Sequence, residues 1–280
     1  MNKSVVVSVL VDNLAQGRGL MAEHGLAFHV RRGSESLLFD TGQSGLVVDN
    51  ARRMDVDLTT LGAIALSHGH YDHTGGLPAV RQAAPAAPLF AHPGVARRRY
   101  ARNPDGSTRE VGPPEAARAA LEPDPKLWQP SKTPVEVLSG FFLTGEIPRE
   151  TGFEDTGGAF FLDEEARLAD PIEDDQALFF DSRDGVVVLL GCAHAGVINT
   201  IRHISRLTGG SPLHAVLGGL HLVNATPERL GRTIEALRAF APRVLGPAHC
   251  TGLAAQSRLW SRFPGEIAAC AVGSRFVFQP

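Results

Sequence analysis

Apolar residues along this chain recur with two spacings. Short runs rich in Val, Ile, Leu and Phe, bounded by Gly, Asp or Pro, predict strands at residues 4–11, 26–32, 36–39 and 63–67. A helix is expected over about 45–54, and a shorter one at 79–83 with Pro78 tolerated in its first turn, before PLFAHP returns as a strand. In the second half VEVLSGFFLTG reads as one strand, QALFFDS and GVVVLLG as a hairpin turning at 183–185, residues 197–207 as a helix and HAVLGG as a buried strand. TPERLGRTIEALRAF is a well-marked helix: Thr226 caps it, Pro227 takes the first turn, Glu228 suits the dipole, and Leu230, Ile234, Leu237 and Phe240 form one apolar face. RVLGPA then reads as a short strand ending at His249.

This alternation of strand and helix is α/β in character, and no Gly/Ser-rich or charged linker divides the 280 residues. One domain over 1–280 is therefore expected. Between about 93 and 134 the texture changes to RRRY, NPDG, GPPEAARAALEPDP and QPSKTP, poor in periodic apolar positions. Such a stretch within a compact domain suggests a lid or binding loop. Arg97, Arg98 and Arg99 beside Tyr100 could fork onto a phosphate or carboxylate, although a solvated charged face is the plainer reading of that run.

Candidate chemistry is concentrated at 67–76. There SHGHYDHTGG packs His68, His70, Asp72 and His73 into six residues directly after the apolar LGAIAL. Imidazole nitrogen and carboxylate oxygen are donors that Zn²⁺ accepts at about 2.0–2.2 Å. The H-x-H-x-D-H spacing lets the first two histidines converge on one metal while Asp72 and His73 turn toward a second. Gly69, Gly75 and Gly76 allow the tight backbone this needs. Three further histidines sit just past predicted buried strands: His194 after VVVLLGCA, His221 after AVLGGL and His249 after RVLGPA. Any one alone would be a weak signal, but three in the same structural position reinforce the first cluster. His24, His29, His92, His203 and His214 lack such a context and read as structural.

Composition excludes more than it assigns. A formal charge of −3 and a single arginine run leave no basic stripe, so nucleic acid is not an expected partner. No apolar stretch approaches the roughly 20 residues that span a bilayer, and the N-terminal apolar run is short and lacks a cleavage site. Cys192, Cys250 and Cys270 form no C-x-x-C pair, and the odd count suits a reducing compartment. A cytoplasmic protein acting on a small-molecule substrate is expected.

The 67–76 motif, with LLFDTG, GCAHAG, GGLHL and PAHCTG further along, resembles the metallo-β-lactamase superfamily. Within it the chain is similar to the branch containing the dihydropterin ribofuranosylaminobenzene phosphate synthases. The resemblance implies a four-layer αββα sandwich with metals at one edge of two facing sheets. It implies that His194 completes a first metal with His68 and His70, and that His249 completes a second with Asp72 and His73. Asp40 in LLFDTG would orient a ligand histidine through its other ring nitrogen. The sequence departs from the common pattern in lacking the G-H-T-x-G histidine and the G-D-T aspartate that bridges the metals; LTGEIPR and GCAH stand roughly in their places. Without that carboxylate the second metal is expected to bind weakly. Cys192 and Cys250 adjoin ligand histidines, and alternation along a strand would turn Cys250 toward the core.

The expected cofactors are two divalent ions, Zn²⁺ first, with Fe or Mn²⁺ as alternatives. The expected activity is hydrolysis of an ester, lactone, amide or phosphoester by a metal-bound hydroxide, with Asp72 as proton acceptor and His221 as proton donor or oxyanion partner. A pterin-type transferase releasing pyrophosphate is the alternative enzyme reading, although two Trp and two Tyr offer few stacking aromatics. A non-catalytic, metal-stabilised binding protein is the third. Open coordination positions argue against it, because structural zinc sites are closed.

Overall fold

A computed structural model describes residues 3–121 and 126–280. Strands β1 (Val5–Val11), β2 (Ala27–Arg32) and β3 (Glu35–Phe39) lead into α1 (Leu46–Arg53), β4 (Ala63–Ala65), the short α2 (Tyr71–Thr74), α3 (Leu77–Ala83) and β5 (Leu89–Ala91). Next come β6 (Tyr100–Arg102), β7 (Thr108–Glu110), α4 (Glu115–Leu121), β8 (Trp128–Pro130), β9 (Val135–Leu138), β10 (Phe141–Leu143) and β11 (Phe160–Phe161). The chain continues through β12 (Ala177–Ser182), β13 (Gly185–Leu190), α5 (Val197–Leu207), β14 (Leu213–Gly219), α6 (Pro227–Phe240), β15 (Val244–Ala248), α7 (Leu253–Arg262) and β16 (Arg275–Phe278).

These strands make a seven-stranded sheet in the order β16-β1-β2-β3-β4-β5-β8 and a six-stranded sheet in the order β15-β14-β13-β12-β10-β9. A third sheet, β11-β6-β7, has only three short strands. Side-chain alternation explains why the two large sheets stack face to face with helices outside. Along β13, Val187 and Leu189 enter the core between the sheets, whereas Val186, Val188 and Leu190 enter a separate core under α5, α6 and α7. Along β3, Leu37 and Phe39 face the central core while Leu38 faces the one shared with α1 and α3. A strand covered on both faces is apolar at consecutive positions, which is why GVVVLLG reads as a continuous run. Three apolar layers thus separate four layers of structure, α/β/β/α.

Strands β3, β4, β5 and β8 run parallel, as do β13, β14 and β15, with helices returning the chain between them. Parallel strands bring their carboxyl ends to one edge, the usual place for a site in an α/β sheet. Thr226 caps α6 as its sequence suggests, accepting from the Arg229 backbone N–H at 3.1 Å.

The structure differs from the sequence reading in two regions. VEVLSGFFLTG is two strands, β9 and β10, because Gly140 adopts φ 74° and turns the chain into a hairpin. The stretch at 93–134 is built into the fold more than a simple lid would be: β8 closes the edge of the large sheet against β5, and Ala117 of α4 is fully buried. Residues 122–125 of that stretch lie outside the described residues. Strands β6 and β7, completed by β11, form a small separate flap. Arg99 at its base is fully buried against Asp170 and Asp174, at 3.5 and 2.7 Å, and so is an internal anchor. Among the described residues no helix is long and apolar enough to cross a membrane.

His29 is buried in β2, and burial first, then Arg31 and Arg275, pushes it down to about 4. The unfolded chain takes up that proton near pH 6.5 and the folded chain does not until about pH 4, so acid favours unfolding across that window. We expect His29→Leu to remove up to about 3 kcal/mol of the stability lost between pH 6.5 and 4, measured by urea unfolding at several pH values. Equal pH slopes for the variant and the parent would contradict this assignment.

Candidate metal centre

The carboxyl ends of β1, β3, β4, β13, β14 and β15 meet at one edge, and the next residues of each supply the site: Asp12 and Asn13, Asp40, the 67–76 segment, Cys192 and His194, His221, and His249. Three of them, Asp40, His221 and His249, hold positive φ angles of 62°, 45° and 48°, as does Ala193 between Cys192 and His194, at 54°. Non-glycine residues rarely adopt this region, and such backbone strain gathers where side chains must be aimed.

Asp40 is fully buried and works as an anchor. Its Oδ1 accepts from the Ser67 backbone N–H at 2.7 Å, while its Oδ2 accepts from Ser67 Oγ and from His73 Nδ1, both at 2.7 Å. Ser67 Oγ in turn lies 2.9 Å from His68 Nδ1. Similarly, His194 Nδ1 meets the Thr156 carbonyl at 2.8 Å and His249 Nδ1 meets Asn13 Oδ1 at 2.8 Å. Four histidines therefore have Nδ1 tied to an outer partner and Nε2 turned inward, the tautomer a metal ligand needs. These pairings assign the tautomers from the hydrogen-bond network.

Inside this ring the expected residues come together in two neighbouring groups. His68 Nε2 lies 3.0 Å from His70 Nδ1, and the His194 ring lies 4.8 Å from both rings. Beside them, Asp72 Oδ2 lies 3.3 Å from His249 Nε2 and 3.9 Å from His73 Nε2. Nitrogens sharing one tetrahedral ion at about 2.0–2.1 Å stand about 3.3 Å apart, so these spacings suit donors converging on a cation. The Nε2 atoms of His70, His194 and His249 are buried without a hydrogen-bond partner. A buried polar atom left unpaired costs about 1–3 kcal/mol, which a bound divalent ion would relieve at His194 and His249. The donor set and its unpaired nitrogens therefore fit the divalent metal that the fold implies, without fixing its number or identity.

Electrostatics agree. Burial, reinforced by neighbouring imidazoles, pushes His68 and His194 well below the usual histidine range; burial does the same at His70, against the pull of Asp72. All three are neutral and able to donate a lone pair at pH 7. Burial opposes charge on Asp72, but His73 first, and then the neighbouring His24 and His249 imidazoles, hold its carboxyl well below the usual carboxylate range. His73, despite burial, is raised to about 9 by Asp40 and Asp72. A metal at its Nε2 would displace that proton.

A cavity of about 360 Å³ opens over the two groups. His221 lines it, its ring 4.2 Å from that of His194 and its buried Nδ1 without a partner. Gly157 is needed here: a Cβ built on it would lie 1.9 Å from His221 Cδ2. The flap supplies Arg102 and Arg109 to the cavity wall and Phe160, whose ring stands 5.0 Å from His70. Arg99 steadies this arrangement from below, since its partner Asp174 accepts the Gly69 backbone N–H at 2.8 Å within H-G-H.

Two positions differ from the sequence reading, and a third adds to it. His24, read as structural, lies 3.1 Å from Asp72 Oδ2 and lines the cavity. Cys250, expected to face the core, lines the cavity as well, because His249 leaves the extended conformation and a 3₁₀ turn, His249–Thr251, replaces strand alternation. Cys192 points inward at 3.2 Å from His73 Nε2. His24 follows no strand, so periodicity gave no hint of it. By contrast, the other histidines read as structural do lie elsewhere: His92 pairs with Glu146, His203 with the Thr144 carbonyl and His214 with Ser182.

We expect Asp40→Asn, which keeps the shape but removes the charge behind His73, to weaken metal affinity about 10–100-fold in competition with a chromophoric chelator. Unchanged affinity would show that Asp40 serves only the turn.

Comparison with known proteins agrees with this geometry. The metallo-beta-lactamase superfamily model matches residues 22–201. A 7,8-dihydropterin-6-methyl-4-(beta-D-ribofuranosyl)-aminobenzene-5'-phosphate synthase from Methanocaldococcus jannaschii is 28% identical over 271 residues, covering 92% of this chain and 90% of that protein. The crystal structure of Tm1679, described as a metal-dependent hydrolase of the beta-lactamase superfamily, superposes with a TM-score of 0.82 at 27% identity, over 99% of this chain and 100% of that one. YhfI from Bacillus subtilis, a metallo-beta-lactamase fold protein, shares the fold with a TM-score of 0.60 at 12% identity over 98% and 99%. With its αββα layers, its edge site and a family match over more than half its length, the chain belongs to the metallo-beta-lactamase superfamily.

Proposed function

We propose that this protein is a metal-dependent hydrolase of small anionic molecules, cleaving an ester, lactone, amide or phosphoester, and that the whole chain forms one catalytic domain with the β6–β7–β11 flap as its lid. The observation that carries this reading is the convergence of His68, His70 and His194, and of Asp72, His73 and His249, beside one cavity, which His70, Asp72 and His249 line. The two trios are proposed to hold two divalent ions, Zn²⁺ first, with Fe or Mn²⁺ as alternatives. When bound, such ions would polarise a substrate oxygen and bring the pKa of coordinated water down toward about 7.

The chain's own residues supply the rest. Asp72, kept ionised by its histidine neighbours, accepts a proton from the attacking water through its cavity-facing carboxylate. His221 stands beside His194 and offers an imidazole to the leaving group or to the developing oxyanion. Phe160 walls the pocket against water. Arg102 and Arg109 give it a cationic side suited to a phosphate or carboxylate on the substrate.

A second reading, transfer to an aromatic amine with release of pyrophosphate, is favoured by the name of the relative that is 28% identical over most of this chain. The two arginines and Phe160 would accept a diphosphate attached to a flat ring as readily as a simple ester.

We expect turnover of at least one class in a phosphodiester, ester and lactone panel to disappear on chelation, to return with Zn²⁺ or Mn²⁺, and to fall about 10²–10⁴-fold in Asp72→Ala. Pyrophosphate release requiring both a pterin diphosphate and an aromatic amine, with no hydrolysis of the panel, would favour transfer. Activity indifferent to chelation and to Asp72→Ala would contradict both.

A further inference from the structure

The two trios leave a gap between them, and the side chain that fills it is a thiol. Cys192 follows β13 directly, in the GCAH segment. Its Sγ belongs to one donor group with His68 and His194 and to another with His73 and His249; the donor atoms of each group lie within 4.8 Å of one another. Each of these candidate groups joins Cys192 to histidines from different strand ends. Of the nearby carboxylates, Asp40 is committed to Ser67 and His73 Nδ1, Asp72 groups with His24 and His249, and Asp175, which accepts from the Ala195 backbone N–H through Oδ2 and leaves Oδ1 unpaired, belongs to none of the donor groups.

We propose that Cys192 Sγ is a thiolate ligand shared by both metal positions, taking the place of a bridging carboxylate; this rests on the metal-dependent reading above. The geometry is suitable. With Zn–S near 2.3 Å and Zn–N near 2.0–2.1 Å, sulfur and nitrogen on one tetrahedral ion stand about 3.6 Å apart, between the 3.2 Å seen to His73 Nε2 and the 4.8 Å bound on each group. The step balances simply: the thiol S–H bond breaks, its proton leaves to solvent, and sulfur donates to the metals without a redox change. A soft bridge moves selectivity toward Zn²⁺ and away from Mn²⁺, and exposes the centre to oxidation at a residue where carboxylate would be inert.

Cys250 provides the internal control. Its sulfur shares a group with Cys192 and His221 but belongs to neither histidine group. Metal-free protein is titrated with Co²⁺ while bound metal and thiolate-to-cobalt charge-transfer absorption in the near ultraviolet are followed. We expect the parent to bind about two Co²⁺ per chain with absorption growing over both equivalents, and Cys250→Ala to keep that signal. Cys192→Ala should lose the signal and bind about one ion or fewer at the same concentration, whereas Cys192→Asp should restore two ions without it. Two ions bound with no charge-transfer band, a band saturating at one equivalent, or a band surviving Cys192→Ala would overturn the shared thiolate while leaving the metal site standing. Failure of the parent to bind Co²⁺ at all would overturn the metal-dependent reading and this proposal together.

Discussion

Burying several imidazoles beside one another is the constraint that organises this protein. His68, His70 and His194 are stripped of water and face other imidazoles, a setting in which protonation is penalised by desolvation and by like charge. They can be held together only if each is neutral. Ser67 and the Thr156 carbonyl hold the outer nitrogens of His68 and His194, Asp40 and Asn13 hold those of His73 and His249, and these partners fix ring orientation before any cation arrives. Preorganisation of this kind is also what catalysis needs, because donors already aimed inward require little rearrangement.

The sandwich serves this end. Two sheets sharing an apolar core are rigid at their shared edge, and strands apolar on both faces carry their terminal residues to that edge with little freedom. At the final step, left-handed residues turn Asp40, His221 and His249 out of strand geometry. The flap carries the exposed Arg109 on short strands, and its base is tied inward through Arg99 and Asp174 to the H-G-H segment. Substrate contact on that flap could therefore be felt at the ligand loop.

Much of the site was legible in the sequence because it sits where periodicity ends. Each of His194, His221 and His249 follows an apolar run that reads as a buried strand, and H-x-H-x-D-H concentrates four donors in six residues. What escaped depended on tertiary geometry. His24 reaches Asp72 from a segment without strand or helix, so no spacing rule applies to it. Cys250 followed a strand rule that the chain abandons one residue earlier, at the left-handed His249. The arginine run at 97–99 carried the right charge in the wrong place: Arg99 is locked in the interior, whereas Arg102 on β6 and Arg109 on β7 line the cavity. Two-residue and three-residue strands such as β11 and β7 exist only because neighbours supply their hydrogen bonds, and sequence patterns of that length carry almost no information.

The central claim is that the donors at this edge enclose two metal ions with Cys192 between them. Anomalous diffraction above and below the zinc absorption edge, from crystals of the zinc-loaded chain, tests it most directly. The account predicts two zinc peaks, one among His68, His70 and His194 and one among Asp72, His73 and His249, each about 2.3 Å from Cys192 Sγ. A single peak, or two peaks with Cys192 turned away from both, would contradict it.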